Sequence, residues 1–132
     1  MKKAAAVTLA ALLLICSACA GNAFEFDKEE AVSAAKEVAE LVHAQDYEAL
    51  HGLFREDVRP LITAEALQAA VQPILDQAGA FQEYEKADAA SYKDKQYGDL
   101  ITVALKAKYE NAALTYTISF DRDYALMGLY IQ

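Results

Sequence analysis

The stretch Leu100-Ile-Thr-Val-Ala-Leu-Lys-Ala-Lys-Tyr109-Glu-Asn-Ala-Ala-Leu114-Thr-Tyr-Thr-Ile-Ser-Phe120 decides the fold. Ile101, Val103, Leu105, Ala107 and Tyr109 alternate with Thr102, Ala104, Lys106 and Lys108. Leu114, Tyr116, Ile118 and Phe120 alternate in the same way with Thr115, Thr117 and Ser119. A period of two with one apolar and one polar face is the mark of a half-buried strand. Only Glu110–Ala112 separates the two runs, which is hairpin length and makes the pair antiparallel. A last strand is expected from about Ala125 to Ile131, and a less regular first strand over Phe81–Tyr92, carrying Tyr84 and Tyr92. Asp94–Gly98 and Asp121–Asp123 supply the other two turns.

Upstream of Phe81 the period is helical. Asp27 is placed to cap a helix over 27–44, with Glu30 three residues later favouring the positive end of the helix dipole. Val32, Ala35, Val38, Ala39 and Val42 form its apolar stripe, and Lys28, Glu29, Lys36, Glu37 and Glu40 its solvated face. A shorter helix begins at Asp46 and runs through Tyr47, Leu50, Leu53 and Phe54 until Arg59-Pro60 interrupts it. Thr63 caps a third, with Leu67, Val71, Ile74, Leu75 and Ala78 as its stripe and Gly79 as its stop. Pro73 inside that helix is expected to kink it or end its regular hydrogen bonding. Helices followed by four successive antiparallel strands make an α+β domain, with three N-terminal helices packed on one face of a curved sheet.

Ahead of this domain stands Met1-Lys2-Lys3, an apolar core from Ala4 to Ile15, and Cys16-Ser17-Ala18-Cys19-Ala20. Basic, apolar and small-residue segments in that order make residues 1–20 a secretory signal. The apolar core is too short for a bilayer span, which needs about 20 residues. Two processing routes fit. Ala18-Cys19-Ala20 suits an ordinary signal peptidase cutting before Gly21. Ser17-Ala18-Cys19 resembles the end of a bacterial lipobox, although Cys16 stands where leucine is usual. The lipobox route leads: Cys19 would carry an acyl anchor to the cell membrane, followed by a short tether over residues 21–26 and the domain over 27–132. Ordinary cleavage would instead release the protein in secreted form.

Twelve basic residues face twenty acidic ones, and loss of Lys2 and Lys3 with the leader deepens the imbalance. Phosphate contact needs a basic face, so nucleic acid is excluded as a partner. Beyond Cys19 there is no cysteine, hence neither a structural disulfide nor a thiol nucleophile in the domain. His43 and His51 lie eight apart, not at the i, i+4 spacing of a metal-binding helix, and are expected at the surface or an interface. No Gly-x-Ser-x-Gly or phosphate-binding loop occurs, so no catalytic residue, cofactor or metal is assigned. Asp27, Glu29 and Glu30 are accounted for by capping, Asp121 and Asp123 by a turn, and Glu83 and Glu85 by a solvent-facing alternation.

The tyrosines are the more informative feature. Tyr84, Tyr109, Tyr116 and Tyr130, with Phe120, fall on or near the strands. They either fill the core between sheet and helices or line a small apolar or aromatic ligand pocket whose contents the hydroxyls orient.

The run Ala44-Gln-Asp-Tyr-Glu-Ala-Leu-His-Gly-Leu-Phe54, then Leu67…Pro73-Ile-Leu…Gly79-Ala-Phe81, and the ending Leu114-Thr-Tyr-Thr-Ile-Ser-Phe-Asp121…Gly128-Leu-Tyr-Ile131 resemble domain of unknown function 3887, found in bacterial extracytoplasmic proteins and lipoproteins. The likeness covers about residues 30–131. It implies a cone similar to cystatin-like and nuclear-transport-factor-2-like domains, with helices cradled by a curved sheet, and no agreed activity. Tyr124 departs from the pattern, since the turn after Asp121 usually carries glycine there. Together these features point to an exported, lipid-anchored, non-catalytic binding or interaction module for a small ligand or a protein partner. Two alternatives stand beside it: an isomerase- or hydratase-like enzyme on the same cone, with Asp88 or Asp99 as the base near Tyr84 or Tyr116, and a structural accessory lipoprotein acting through its acidic surface.

Overall fold

The computed structural model describes residues 22–132. The leader and Cys19 lie outside the described residues. Three helices precede the sheet: α1 (Lys28–His43), α2 (Tyr47–Gly52) and α3 (Ala64–Ala78), with a 3-10 turn at Arg59–Leu61. Four strands follow, β1 (Phe81–Asp94), β2 (Gly98–Tyr109), β3 (Ala113–Asp121) and β4 (Leu126–Ile131). They form one antiparallel meander in the order β1-β2-β3-β4.

Each helix starts where its capping residue falls. The side chains of Asp27, Asp46 and Thr63 accept from the N–H groups of Glu30, Ala49 and Ala66 at 3.2, 3.1 and 3.0 Å. Each cap satisfies a donor that the first helical turn leaves free. The buried stripe of α1 is Ala31, Ala35, Val38, Ala39 and Val42. Val32, expected on it, is only half-buried. Alanines at three successive i, i+4 positions bring α1 close to the sheet.

Helix α2 stops at Gly52, two residues earlier than its apolar spacing implies. The chain then extends, and Phe54 pairs in parallel with Leu126. The N–H of Arg55 donates to Leu126 O and that of Leu126 to Leu53 O, both at 2.9 Å. The start of the β4 edge is thereby covered, which protects it from pairing with another chain. Pro73 does not end α3, which continues to Ala78. Gly79 then adopts φ 86°, ψ −159°, a region open essentially to glycine alone. A Cβ there would lie 2.8 Å from Glu110 Cβ. The β2–β3 hairpin closes over this helix end, with the Asn111 N–H donating to Ala78 O at 2.8 Å.

On the sheet, Ile101, Val103, Leu105, Ala107 and Tyr109 are all buried against the helices, as are Leu114, Tyr116, Ile118 and Phe120. Their polar neighbours face outward, where Thr102 and Ser119 share a cross-strand hydrogen bond of 3.2 Å. In β4 the alternation slips. Ser119 pairs with Gly128 while Phe120 pairs with Leu126, so Met127 is an extra residue. A bulge of this kind reverses which side chains face the core beyond it.

Of residues 21–26, expected as a short tether, Asn22, Ala23 and Phe24 are hydrogen-bonded to Ser91 near the end of β1. Ser91, the one buried polar residue in the core of the described chain, uses its hydroxyl twice. It donates to Phe24 O at 2.7 Å and accepts from the Phe24 N–H at 3.0 Å. Its backbone is held as well: the Ser91 N–H donates to Asn22 Oδ1 at 3.1 Å, and Ser91 O accepts from the Ala23 N–H at 3.2 Å. Among the described residues, the fold thus takes in the chain from Asn22 onward. Among the described residues, no helix is long and apolar enough to cross a membrane.

Candidate functional site

The concentration of polar atoms inside this apolar interface lies where the last turn of α1 meets β1, β2 and β3. His43 follows Ala39 by four residues and so continues the face of α1 that packs on the sheet. Its side chain is 14 % exposed. The ring stacks on Phe81 with centroids 4.3 Å apart and meets Tyr109 edge-on at 5.6 Å. Of the two places expected for it, surface or interface, His43 takes the second, between α1 and the sheet.

Three of the five candidate pocket residues converge on that ring. The hydroxyl of Tyr109 lies 2.6 Å from His43 Nε2 and 2.5 Å from the hydroxyl of Tyr116. Tyr116 in turn lies 3.4 Å from the same nitrogen. On the outer side Tyr84 donates to Glu40 Oε2 at 2.7 Å, and that oxygen stands 3.8 Å from His43 Nδ1. Register explains the meeting. Phe81 pairs with Tyr109 and Tyr84 with Ala107, while Tyr116 sits opposite Leu105. All these side chains belong to the inner face at the β2–β3 hairpin end.

The other two candidates lie elsewhere. Phe120 is buried on the same face but pairs with Ile101, toward the opposite end, and packs edge-on with Tyr124 at 5.6 Å. Tyr130 is 48 % exposed. The extra residue at Met127 turns it to the outer face beside Thr117, its partner across the strands. An alternation counted without the bulge puts it on the wrong side.

Electrostatics follow from this packing. Burial lowers the pKa of His43 below its ordinary value, with Glu40 opposing the shift. The ring is accordingly neutral near pH 7 and holds one proton. With Nε2 facing the two hydroxyls, Nδ1 has no hydrogen-bond partner. Burial raises the Tyr109 and Tyr116 hydroxyls above the usual phenol range. Burial and the hydrogen bond to Glu40 do the same for Tyr84. None of the three phenols ionises near neutrality. Tyr109 and Tyr116 act as neutral donors and acceptors in a chain that runs from Tyr116 through Tyr109 to His43, while Tyr84 donates to Glu40.

This chain is filled with its own side chains. Tyr109 and Tyr116 are 3 % and 0 % exposed. Two grooves among the described residues are open to solvent, and neither is lined by His43, Tyr109 or Tyr116. One runs between α1 and β1, lined by Lys28, Val32, Lys36 and Ala87. The other runs along Asn22–Phe26.

The second histidine is also structural. His51 Nε2 lies 2.8 Å from Ile62 O and 3.1 Å from Arg59 O, holding the 3-10 turn against α2. The two aspartates considered as bases are at the surface. Asp88 accepts from Lys28 at 3.2 Å, and Asp99 is bound by Lys93 and Arg122, each at 3.0 Å. Neither is beside a tyrosine in an enclosed space. Asp121 and Asp123 form the expected turn: Asp121 Oδ1 accepts the N–H groups of Asp123 and Ala125 at 2.9 Å. Tyr124 within that turn has φ 65°, a left-handed conformation that glycine adopts without a steric cost. Among the described residues no group of three or more His, Cys, Asp or Glu side chains converges on a metal-sized position.

The family model described as "Protein of unknown function (DUF3887)" matches residues 35–129. The chain belongs to the DUF3887 family. The match begins in α1 and ends in β4, so it takes in His43 and the three tyrosines around it. The domain is also similar to a solved structure described as "NMR structure of protein from Ruminococcus gnavus ATCC 29149". The two are 27 % identical, with a TM-score of 0.71 over 80 % of this chain and 90 % of that one. Among curated proteins there is no match.

Proposed function

We propose that this DUF3887 protein is an exported, lipid-anchored interaction module without catalytic activity, its sheet curled around the helices as a cystatin-like or nuclear-transport-factor-2-like cone. The observation that carries the non-catalytic part is the use made of the tyrosines. Hydroxyls suited to orienting a ligand are already engaged: those of Tyr109 and Tyr116 with His43 and one another inside the packed interface, and that of Tyr84 with Glu40 at its exposed edge. Contacts with a partner protein then fall to exposed surface. Leu53, Leu61 and Tyr130 are large apolar side chains left open to solvent, at 40 %, 73 % and 48 % exposure. Leu53 adjoins the β4 edge through its bridge to Leu126, and Tyr130 lies on β4 itself. Export and anchoring rest on the leader and on Cys19. An acyl group on that sulfur supplies the membrane attachment that no described helix provides.

The test is fractionation of bacteria producing the full chain with and without Cys19→Ser. The unaltered protein is expected in the membrane fraction. The variant is expected to appear in the soluble extracytoplasmic fraction or in the medium. Equal membrane retention of both overturns the anchor.

A further inference from the structure

The anchor and the fold together set an orientation. Residues 22–24 are fixed by the four hydrogen bonds of Ser91 described above. Phe24 is gripped in addition by two cations: the Arg122 guanidinium lies 4.3 Å from its ring centroid and the Lys93 ammonium 5.9 Å. Both cations are bound to Asp99, whose carboxyl their hydrogen bonds hold below the usual carboxylate range. Cation–aromatic contacts of this kind add to the hydrogen bonds, and β1, β2 and the β3–β4 turn all contribute to the grip. The chain is thus immobilised up to Asn22, three residues after Cys19.

Three residue steps reach at most about 11 Å. Ser91 is three residues from the β1–β2 hairpin and ten from Phe81. Along a strand those separations are about 10 Å and about 33 Å. An acyl chain on Cys19 therefore holds the hairpin end near the lipid surface and the His43 end away from it. The hairpin tip carries Lys95 and Tyr97, residue types that sit well among lipid headgroups.

We infer that the anchored protein stands upright, with the Asp94–Gly98 hairpin facing the bilayer and the His43–Tyr109–Tyr116 end, together with the β2–β3 hairpin, presented outward. This rests on the acyl anchor proposed above. The clamp on Phe24 makes the attachment short and directional, where an unfastened tether over residues 21–26 would let the domain tumble.

The introduced cysteine of Gln96→Cys or Ala112→Cys provides a unique labelling site, because the domain has no cysteine beyond Cys19 and acylation blocks that sulfur. Each full-length variant, purified from membranes and labelled with a fluorophore, is reconstituted into phosphatidylcholine vesicles carrying a headgroup spin label. Several-fold stronger quenching at position 96 than at 112 is expected. Insertion of twelve Gly/Ser residues between Gly21 and Asn22 should bring the two positions close to equal, since such a spacer spans roughly 20 Å. Equal or reversed quenching in the unextended protein overturns the orientation, and so does a spacer that leaves the ratio unchanged. Failure of the protein to stay with vesicles is a separate result: it overturns the anchor, and the orientation with it.

Discussion

Tyr109→Phe is the sharpest probe of the buried polar chain. The substitution keeps the ring edge-on to both Phe81 and His43 and removes only the oxygen that joins His43 Nε2, at 2.6 Å, to the Tyr116 hydroxyl, at 2.5 Å. Both partners are then left inside an apolar interface. A buried group stripped of its hydrogen bond costs about 1–3 kcal/mol. Tyr116 already stands 3.4 Å from the same nitrogen, so a small shift re-forms one bond and limits the loss to about 1–2 kcal/mol. For a domain of this length that is a fall in Tm of roughly 4–10 °C. Urea denaturation of the mature protein at pH 8, followed by circular dichroism, reads it as a lower midpoint at unchanged slope. Combining the change with Tyr116→Phe should cost less than the sum of the two single losses, because they share one bond. A Tyr109→Phe midpoint equal to that of the unaltered protein refutes the packing argument and favours hydroxyls facing a hydrated pocket.

Other consequences can be checked on the same preparation. The pKa of His43 is lowered in the folded state, so the unfolded chain takes up its proton first as pH falls. The resulting stability is complete above the unfolded value of about 6.5 and is lost below it, toward the folded value. His43→Gln should flatten that part of the stability–pH profile, and an unchanged slope between pH 7.5 and 5.5 would speak against it. Gly79→Ala forces a side chain into a glycine-only conformation and against Glu110. A loss of about 2–4 kcal/mol is expected by denaturant titration, and a loss under 0.5 kcal/mol contradicts the hairpin's closure on α3. At Tyr124, Gly and Ala replacements remove the same contact with Phe120 but differ in their tolerance of φ 65°. The glycine variant should be more stable by about 1 kcal/mol, and parity would place the turn in another conformation.

Most of the architecture is legible in local chemistry. Asp27, Asp46 and Thr63 mark helix starts because each cap satisfies a nearby donor, and that is a short-range matter. The alternation of β2 and β3 is likewise a property of adjacent residues. Failures arise where a distant segment intervenes. Leu53 and Phe54 continue the spacing of α2, yet the edge of β4 captures them, and nothing in the helix announces it. Tyr130 is misplaced by a single extra residue at Met127, since one residue inverts every later facing. The site shows the same division. Tyr84, Tyr109 and Tyr116 can be picked out as inward-facing strand residues, but their common partner is 41 to 73 positions away in the chain. Paired with His51, His43 suggests only an absent metal motif. Counted instead four residues beyond Ala39, it continues the buried stripe, and that spacing is the signal that reveals it. The clamp on residues 22–24 has no such signal, because Ser91 is one small polar residue in an irregular strand.

The most direct test of the account is the chemical state of the mature N-terminus. Intact mass and peptide mass spectrometry of the protein extracted from bacterial membranes should give a first residue of Cys19 carrying acyl chains. An unmodified polypeptide beginning at Gly21 would contradict the anchor and the orientation built on it.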